Sequence, residues 1–310
     1  MTGLVDDAMM VEAVLAAGLS MDGAIPGPLP LASPSYKALE SRSVLIGNVF
    51  AKRVHPEMRD GFDLTAAMQA AQHAGEVGVG PKVLSFNIET GFIAMQAMLK
   101  GWSTANQGTL QDVEIVASAM ASLKAFHQTA QLPSRFDPFA QIDALIEKLR
   151  NLDAPLPDDI VWLRRLIAQI EPMRETGVLL PCRNDGSSSN LMVGPDRQVM
   201  LIDFDRAGMN DPLYDVGCLL AEVTDFERDM HAGYTAYAGA FDEAGFARAR
   251  LWSHIDDLLH ALWARTKAHT SQRRSLEWLK YGEWRLMRAR MALMHPNFEE
   301  KIRIGVERES

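Results

Sequence analysis

Residues 181–205, PCRNDGSSSNLMVGPDRQVMLIDFD, constrain this chain more than any other stretch. Two short apolar runs, 191–193 and 199–202, flank a Gly-Pro-Asp turn, the pattern of a hairpin. Asp185 and Asn190 stand just before the first run, and Asp203, Phe204 and Asp205 stand at the end of the second. A hairpin brings its open ends together at small loop-closure cost, so these oxygen-bearing side chains converge. Taken singly, Asp185 and Asn190 are ordinary turn and cap residues, and the Asp-Phe-Asp is a strand end with solvated acids. Only as a set do they point to chemistry.

The flanking regions differ in character. Residues 1–20 read as a short amphipathic helix, followed by a Gly/Pro/Ser-rich segment. Residues 43–54 are strand-like with a turn near Gly47-Asn48, and 81–99 form a second hairpin turning at Glu89-Thr90-Gly91. Between them the Ala-rich 62–78 begins at a capping Asp63 and ends in Gly, which predicts a helix. After Lys100-Gly101 helical spacing takes over at 110–129. A Pro-rich stretch leads into another helix within 155–177, and nearly everything from 215 to 294 is helical. The expected fold class is α+β in two lobes: a sheet-rich N-lobe, 1–99, and a mostly helical C-lobe, 100–310, with the hairpin at its front.

The net charge of −9 opposes a nucleic-acid partner, because polyphosphate surfaces favour basic proteins. Two cysteines, Cys182 and Cys218, make neither a disulfide framework nor a zinc site. The N-terminus carries acids and no Lys or Arg, and no apolar run reaches the roughly 20 residues of a membrane span. A cytoplasmic protein without membrane partners is expected.

Phosphoryl transfer to an alcohol needs metal ions held against a triphosphate, a cation on the phosphates and a carboxylate facing the hydroxyl. Mg²⁺ prefers oxygen ligands and retains waters, so few protein ligands suffice. In that scheme Asp185 faces the acceptor hydroxyl, and Asn190 and Asp203 hold Mg²⁺. Lys52, within the strand-like NVFAKRV, reaches the phosphates of ATP.

The segment CRNDGSSSN…LIDFD resembles the catalytic loop and metal-binding segment of kinase-like small-molecule phosphotransferases, which include choline/ethanolamine kinases and aminoglycoside phosphotransferases. CRND is similar to the Cys-His-Asn-Asp of choline kinases, and LLHALWARTKAHTSQRRSLEWLKYGEWRLMRA is similar to their C-terminal helix pair. The resemblance covers about residues 43–289. It implies the protein-kinase-like fold, with Asp185 as catalytic base, Asn190 and Asp203 as Mg²⁺ ligands and Lys52 as the phosphate lysine. Asp205 matches a second acid near substrate or metal. The adenine hinge falls at Gln96 to Met98.

The chain departs from the family pattern in three places. Arg183 stands where the family carries His. No Gly-rich phosphate loop is visible in 31–40, where Ser33 and Ser35 offer hydroxyls and amides. The helix over 62–78 has no acid placed to pair with Lys52.

A choline site needs aromatic faces and a carboxylate around a quaternary ammonium. Trp263 and Tyr281 are candidates, but Lys267 stands where choline kinases carry Gln, which favours an anionic group on the acceptor. The C-terminal tryptophans read as core of packed helices rather than a cation cage, Asp256-Asp257 as a solvated face, His127 as structural, and the methionines mostly as core filler. The expected activity is ATP- and Mg²⁺-dependent phosphorylation of a small-molecule alcohol, nearest to choline/ethanolamine kinases. The alternatives are an aminoglycoside-type or other small-metabolite kinase, and a nucleotide-binding pseudokinase with a regulatory role.

Overall fold

The structure, a computed structural model, describes residues 7–28, 40–273 and 276–306. Helix α1 (Ala8–Ala16) starts at Asp7, whose carboxylate accepts from Met9 N–H, and packs against the N-lobe sheet. The short β1 (Ile25–Pro26) leads to β2 (Ser41–Ile46) and β3 (Val49–Val54), then to α2 (Pro56–Arg59) and α3 (Leu64–Glu76). Strands β4 (Val83–Asn87) and β5 (Phe92–Gln96) complete an antiparallel five-stranded sheet in the order β1-β2-β3-β5-β4.

Lys52 lies in the middle of β3, opposite Ser43 of β2 and Ile93 of β5, so both neighbouring strands fix its backbone. Helix α3 begins where Asp63 accepts from the N–H groups of Thr65 and Ala66, and Gly78 turns the chain out at φ +76°. Its buried face is made of Met68 and five alanines, Ala66, Ala67, Ala70, Ala71 and Ala74, mostly small enough to let the helix lie close.

The C-lobe opens with β6 (Ser103–Thr104), α4 (Val113–His127), α5 (Pro138–Asn151), α6 (Ile160–Ala168) and α7 (Met173–Thr176). Helix α5 falls in the stretch read as a connection. Asp137 caps it, Pro138 takes its first turn, and Phe139, Ile142, Ile146 and Leu149 are buried. Next come β7 (Leu180–Cys182), the hairpin β8 (Leu191–Val193) and β9 (Val199–Leu201), and β10 (Gly208–Asn210). The hairpin pairs Leu191 with Leu201, β6 adds to its outer edge, and β10 pairs with β7 to close the base of the loop between them.

Helices α8 (Pro212–Val223), α9 (Glu227–Ala238), α10 (Glu243–Thr270), α11 (Trp278–Leu293) and α12 (Asn297–Gly305) complete the lobe. Helix α10 is buried almost all round, as expected of a helix at the centre of a lobe.

Among the described residues two apolar clusters join the lobes. One core cluster joins α3 and β5 (Ala71, Ala74, Ile93) to the hairpin (Leu191, Leu201, Phe204), and Leu201 N–H donates to Val79 O at 2.7 Å. A second joins Val54 and Met58 of the N-lobe to Trp263 and Trp278 of the C-lobe. Beside it Glu57 accepts from Ser271 Oγ at 3.0 Å and is ion-paired with Arg273. Among the described residues no helix is long and apolar enough to cross a membrane.

Candidate active site

A cleft between the lobes gathers residues from β2, β3, α3, β5 and the β8–β9 hairpin. Phe50, Met68, Ile93, Met95, Met98, Met192 and Ile202 make its apolar part, so several methionines expected as core filler line an open space. At its polar end stand Lys52, Asn190, Asp203 and Asp205.

The loop that carries Asp185 is held from below. Asp215 of α8 accepts from the backbone N–H groups of Arg183 and Asn184, both at 2.7 Å, and His127 lies 3.1 Å from the same carboxylate. His127 thus has the structural place expected of it, between Asp215 and the Tyr237 hydroxyl at 2.8 Å. Asn184 takes φ +57°, a left-handed conformation that Asn tolerates, and its carboxamide donates to carbonyls of Cys182, Arg206 and Gly208. Gly186 must be glycine: a Cβ there would stand 2.5 Å from Cys218.

Arg183, the departure at the family's His, is fully buried. Its guanidinium donates to Asn190 O at 2.7 Å, to Ile202 O at 3.3 Å and to Asp185 O. One planar fork therefore ties the loop to both strands of the hairpin. Both Asp185 oxygens are engaged, one by Ser187 N–H at 2.7 Å and the other by Asn190 Nδ2 at 2.6 Å. The amide thereby turns its Oδ1 away, and among the described residues no donor reaches that oxygen.

Lys52 Nζ lies 2.6 Å from Asp203 Oδ1 and 2.8 Å from Asp205 Oδ2, the latter off the hydrogen-bonding direction. Burial alone would favour neutral Lys52; the two carboxylates reverse this and raise it above the ordinary lysine range. Burial, then the Asp203 charge, push Asp205 up to about 7 against the pull of Lys52. Asp203 moves the other way: burial would raise it, but the Lys52 ammonium prevails and lowers it. Asp203 also takes φ +61°, so a strained backbone rather than a free rotamer aims its carboxylate. One free amide oxygen and two carboxylates facing one cleft suit a hard cation such as Mg²⁺.

Gln96 N–H is taken by Lys82 O and Ala97 N–H by Asn48 O, each at 2.8 Å. Among the described residues no acceptor takes Met98 N–H, which leaves it for a ligand. Ser35 lies outside the described residues.

The C-terminal candidates are less gathered. Trp263 and Tyr281 are neighbours, ring centroids 6.3 Å apart and edge-on, and Trp263 is packed in the contact between the lobes. Lys267 does not join the group around Asp185: its Nζ donates to Glu57 O at 2.7 Å. Asp256 and Asp257 are no solvated face. They are 5% and 4% exposed, and Arg285 bridges them, with its Nε 3.0 Å from Asp257.

The sequence reading passed over Arg206. Its side chain, 7% exposed, stands next to Asp205, donates to Glu40 Oε1 at 2.7 Å and lies 4.9 Å from the centre of the Trp263 ring. The only local signal was a cation immediately after the Asp-Phe-Asp.

Residues 41–252 match the model of the phosphotransferase enzyme family, and the chain belongs to that family. Protein LicA of Haemophilus influenzae is 23% identical over 56% of this chain and 69% of its own length. Among solved structures, a choline/ethanolamine kinase family protein from Mesorhizobium loti aligns with TM-score 0.81 at 21% identity, covering 96% of this chain and 98% of that one. Choline kinase LicA from Streptococcus pneumoniae aligns with TM-score 0.73 at 17% identity, over 92% and 97%. The fold is that of these kinases: a small antiparallel sheet lobe on a mostly helical one.

Proposed function

We propose that the protein transfers the γ-phosphoryl group of ATP, with Mg²⁺, to the hydroxyl of a small molecule. The observation that carries this reading is the meeting of Lys52, Asn190 and Asp203 at the polar end of one cleft, with Asp185 hydrogen-bonded to Asn190. A solved LicA structure holds AMP and an aminoglycoside 2'-phosphotransferase-IIIa structure holds GDP, which supports a nucleotide in this cleft.

In this reading the apolar part of the cleft takes the base, with Met98 N–H as its backbone donor. Lys52 lies on the phosphates. When bound, Mg²⁺ neutralises charge on the triphosphate; Asn190 Oδ1, Asp203 and Asp205 would hold it. Asp185, fixed by Ser187 and Asn190, orients the acceptor hydroxyl and receives its proton. The acceptor oxygen bonds to the γ-phosphorus, the bridging P–O bond breaks, and the nucleoside diphosphate leaves with the electron pair. The LicA and choline/ethanolamine kinase likenesses support an acceptor of small amino-alcohol size. Two buried thiols, Cys182 and Cys218, suit a reducing cytoplasm.

The test is ADP release from Mg-ATP with choline, ethanolamine and a panel of amino and sugar alcohols, beside Asp185→Asn and Asp203→Ala. Acceptor-dependent release, lost in both folded variants, is expected. Saturable ATP binding without release for any acceptor would instead favour a regulatory nucleotide-binding protein.

A further inference from the structure

Three of the rings that a quaternary ammonium could use already face a cation of this chain. Three tryptophans stand on the last long helices beyond the deeply packed Trp252, and each carries an internal guanidinium. Arg206 lies 4.9 Å from the centre of Trp263, Arg273 lies 5.5 Å from Trp278, and Arg288 lies 5.1 Å from Trp284. On the face that the arginine covers, a ligand cation would have to displace it and would gain only what that arginine loses.

The acids are committed in the same way. Asp256 is held by Arg285 and by the Tyr214 hydroxyl at 2.6 Å. Asp257 lies within 3.2 Å of both Arg285 and Arg288, Glu222 lies 3.4 Å from Arg288, and Glu57 is paired with Arg273. None of these carboxylates is left to receive an ammonium, which argues against amine-rich acceptors as much as against choline.

Arg206 is placed differently from the other arginines. It follows Asp205 directly, its carbonyl accepts from the carboxamide of Asn184, the neighbour of Asp185, at 3.1 Å, and its guanidinium lies over Trp263, the ring beside Tyr281. Among the described residues its fork makes one hydrogen bond, to Glu40. A guanidinium with donors to spare, close to the carboxylate that faces the acceptor hydroxyl, matches a carboxylate or phosphate group in geometry and charge.

Resting on the phosphotransferase reading, we infer that the acceptor is an alcohol bearing an anionic oxygen group, a carboxylate or a phosphate, and that Arg206 selects it. The acceptor's hydroxyl lies at Asp185 and its anion at Arg206, where it shares or replaces Glu40.

The experiment compares matched alcohols: ethanolamine with serine, choline with carnitine, and glycerol with glycerate and with glycerol 3-phosphate. Binding is measured by calorimetry on the full chain with Mg²⁺ and a non-hydrolysable ATP analogue, and ADP release is measured in parallel. At least one anionic member should bind tenfold or more tightly than its uncharged or cationic counterpart. The glycerate and glycerol 3-phosphate arms separate carboxylate from phosphate. In Arg206→Gln that preference should collapse about tenfold, mostly through KM, and Arg206→Lys should restore part of it. If Arg206→Gln does not fold, the wild-type comparison decides alone.

Tighter binding of choline, ethanolamine or glycerol would overturn the inference, as would failure of every anionic probe to bind or a preference that survives in Arg206→Gln. Turnover of choline or ethanolamine alone would sink the inference and keep the phosphotransferase. Tight, Arg206-dependent binding of an anionic probe with no turnover of any alcohol would keep the inferred site and sink the phosphotransferase.

Discussion

Lys52 finds in Asp203, 151 positions along the chain, the carboxylate that helix α3 does not offer. The buried face of α3 is alanine and Met68, so no acid reaches the lysine from that side. The two acids after β9 hold it instead, and the phosphate lysine and the metal-binding segment become one electrostatic unit across the lobes.

Breaking that unit from one side should be costly. Lys52→Met leaves two close carboxylates in the cleft without their cation, and urea denaturation should show a loss of about 3 kcal/mol. Adding Asp205→Asn to the variant should recover part of it, because Asp205 is the more deeply buried acid. Equal stability of the wild type and Lys52→Met would mean that the ammonium does not hold the acids.

Arg183 should matter for rate and stability together. In Arg183→Met three half-buried carbonyls, of Asp185, Asn190 and Ile202, lose a charged donor. A stability loss of about 2–4 kcal/mol is expected. kcat should fall at least tenfold with little change in the KM for ATP, since the arginine acts through the loop and not on the nucleotide.

The hinge assignment is tested by removing one hydrogen. Met98→Pro keeps the carbonyl and deletes the free N–H. The KM for ATP should rise tenfold or more while the KM for the acceptor stays within about twofold. An unchanged nucleotide KM would place the base elsewhere.

His55 should set part of the acid sensitivity. Burial, then Arg273 and Arg42, push it down to about 4, whereas an unfolded histidine titrates near 6.5. Between those values the unfolded chain binds the extra proton, so stability falls as pH drops from about 6.5 to about 4. His55→Gln should flatten the melting temperature across that window and leave it unchanged above pH 7.

The site loop was legible because its geometry is local: an acid, an amide and two acids at the ends of a short hairpin. The same locality made both N-lobe hairpins and α3 readable from their turns and from Asp63. Helix α5 went unread because its Asp137-Pro138 start looked like one more loop in a proline-bearing stretch. The burial of Asp256 and Asp257 was hidden because their partners, Arg285 and Arg288, sit on the next helix; adjacent acids without those partners read as a wet face. Lys267 was read from its position in a motif, but its direction is set by α2, a four-residue helix with no periodic signal of its own. Arg206 needed Glu40 and Trp263, both distant in sequence, before its surroundings had meaning.

The left-handed backbone of Asp203 also governs how this chain could lose its chemistry over generations. A residue there must accept φ +61° as well as supply an acid. Glycine and asparagine satisfy the first demand without the second, and β-branched residues satisfy neither. Descendants that keep the shape and give up catalysis should therefore carry Gly or Asn at this position. An enzyme and a folded, silent binding protein then stand a single exchange apart.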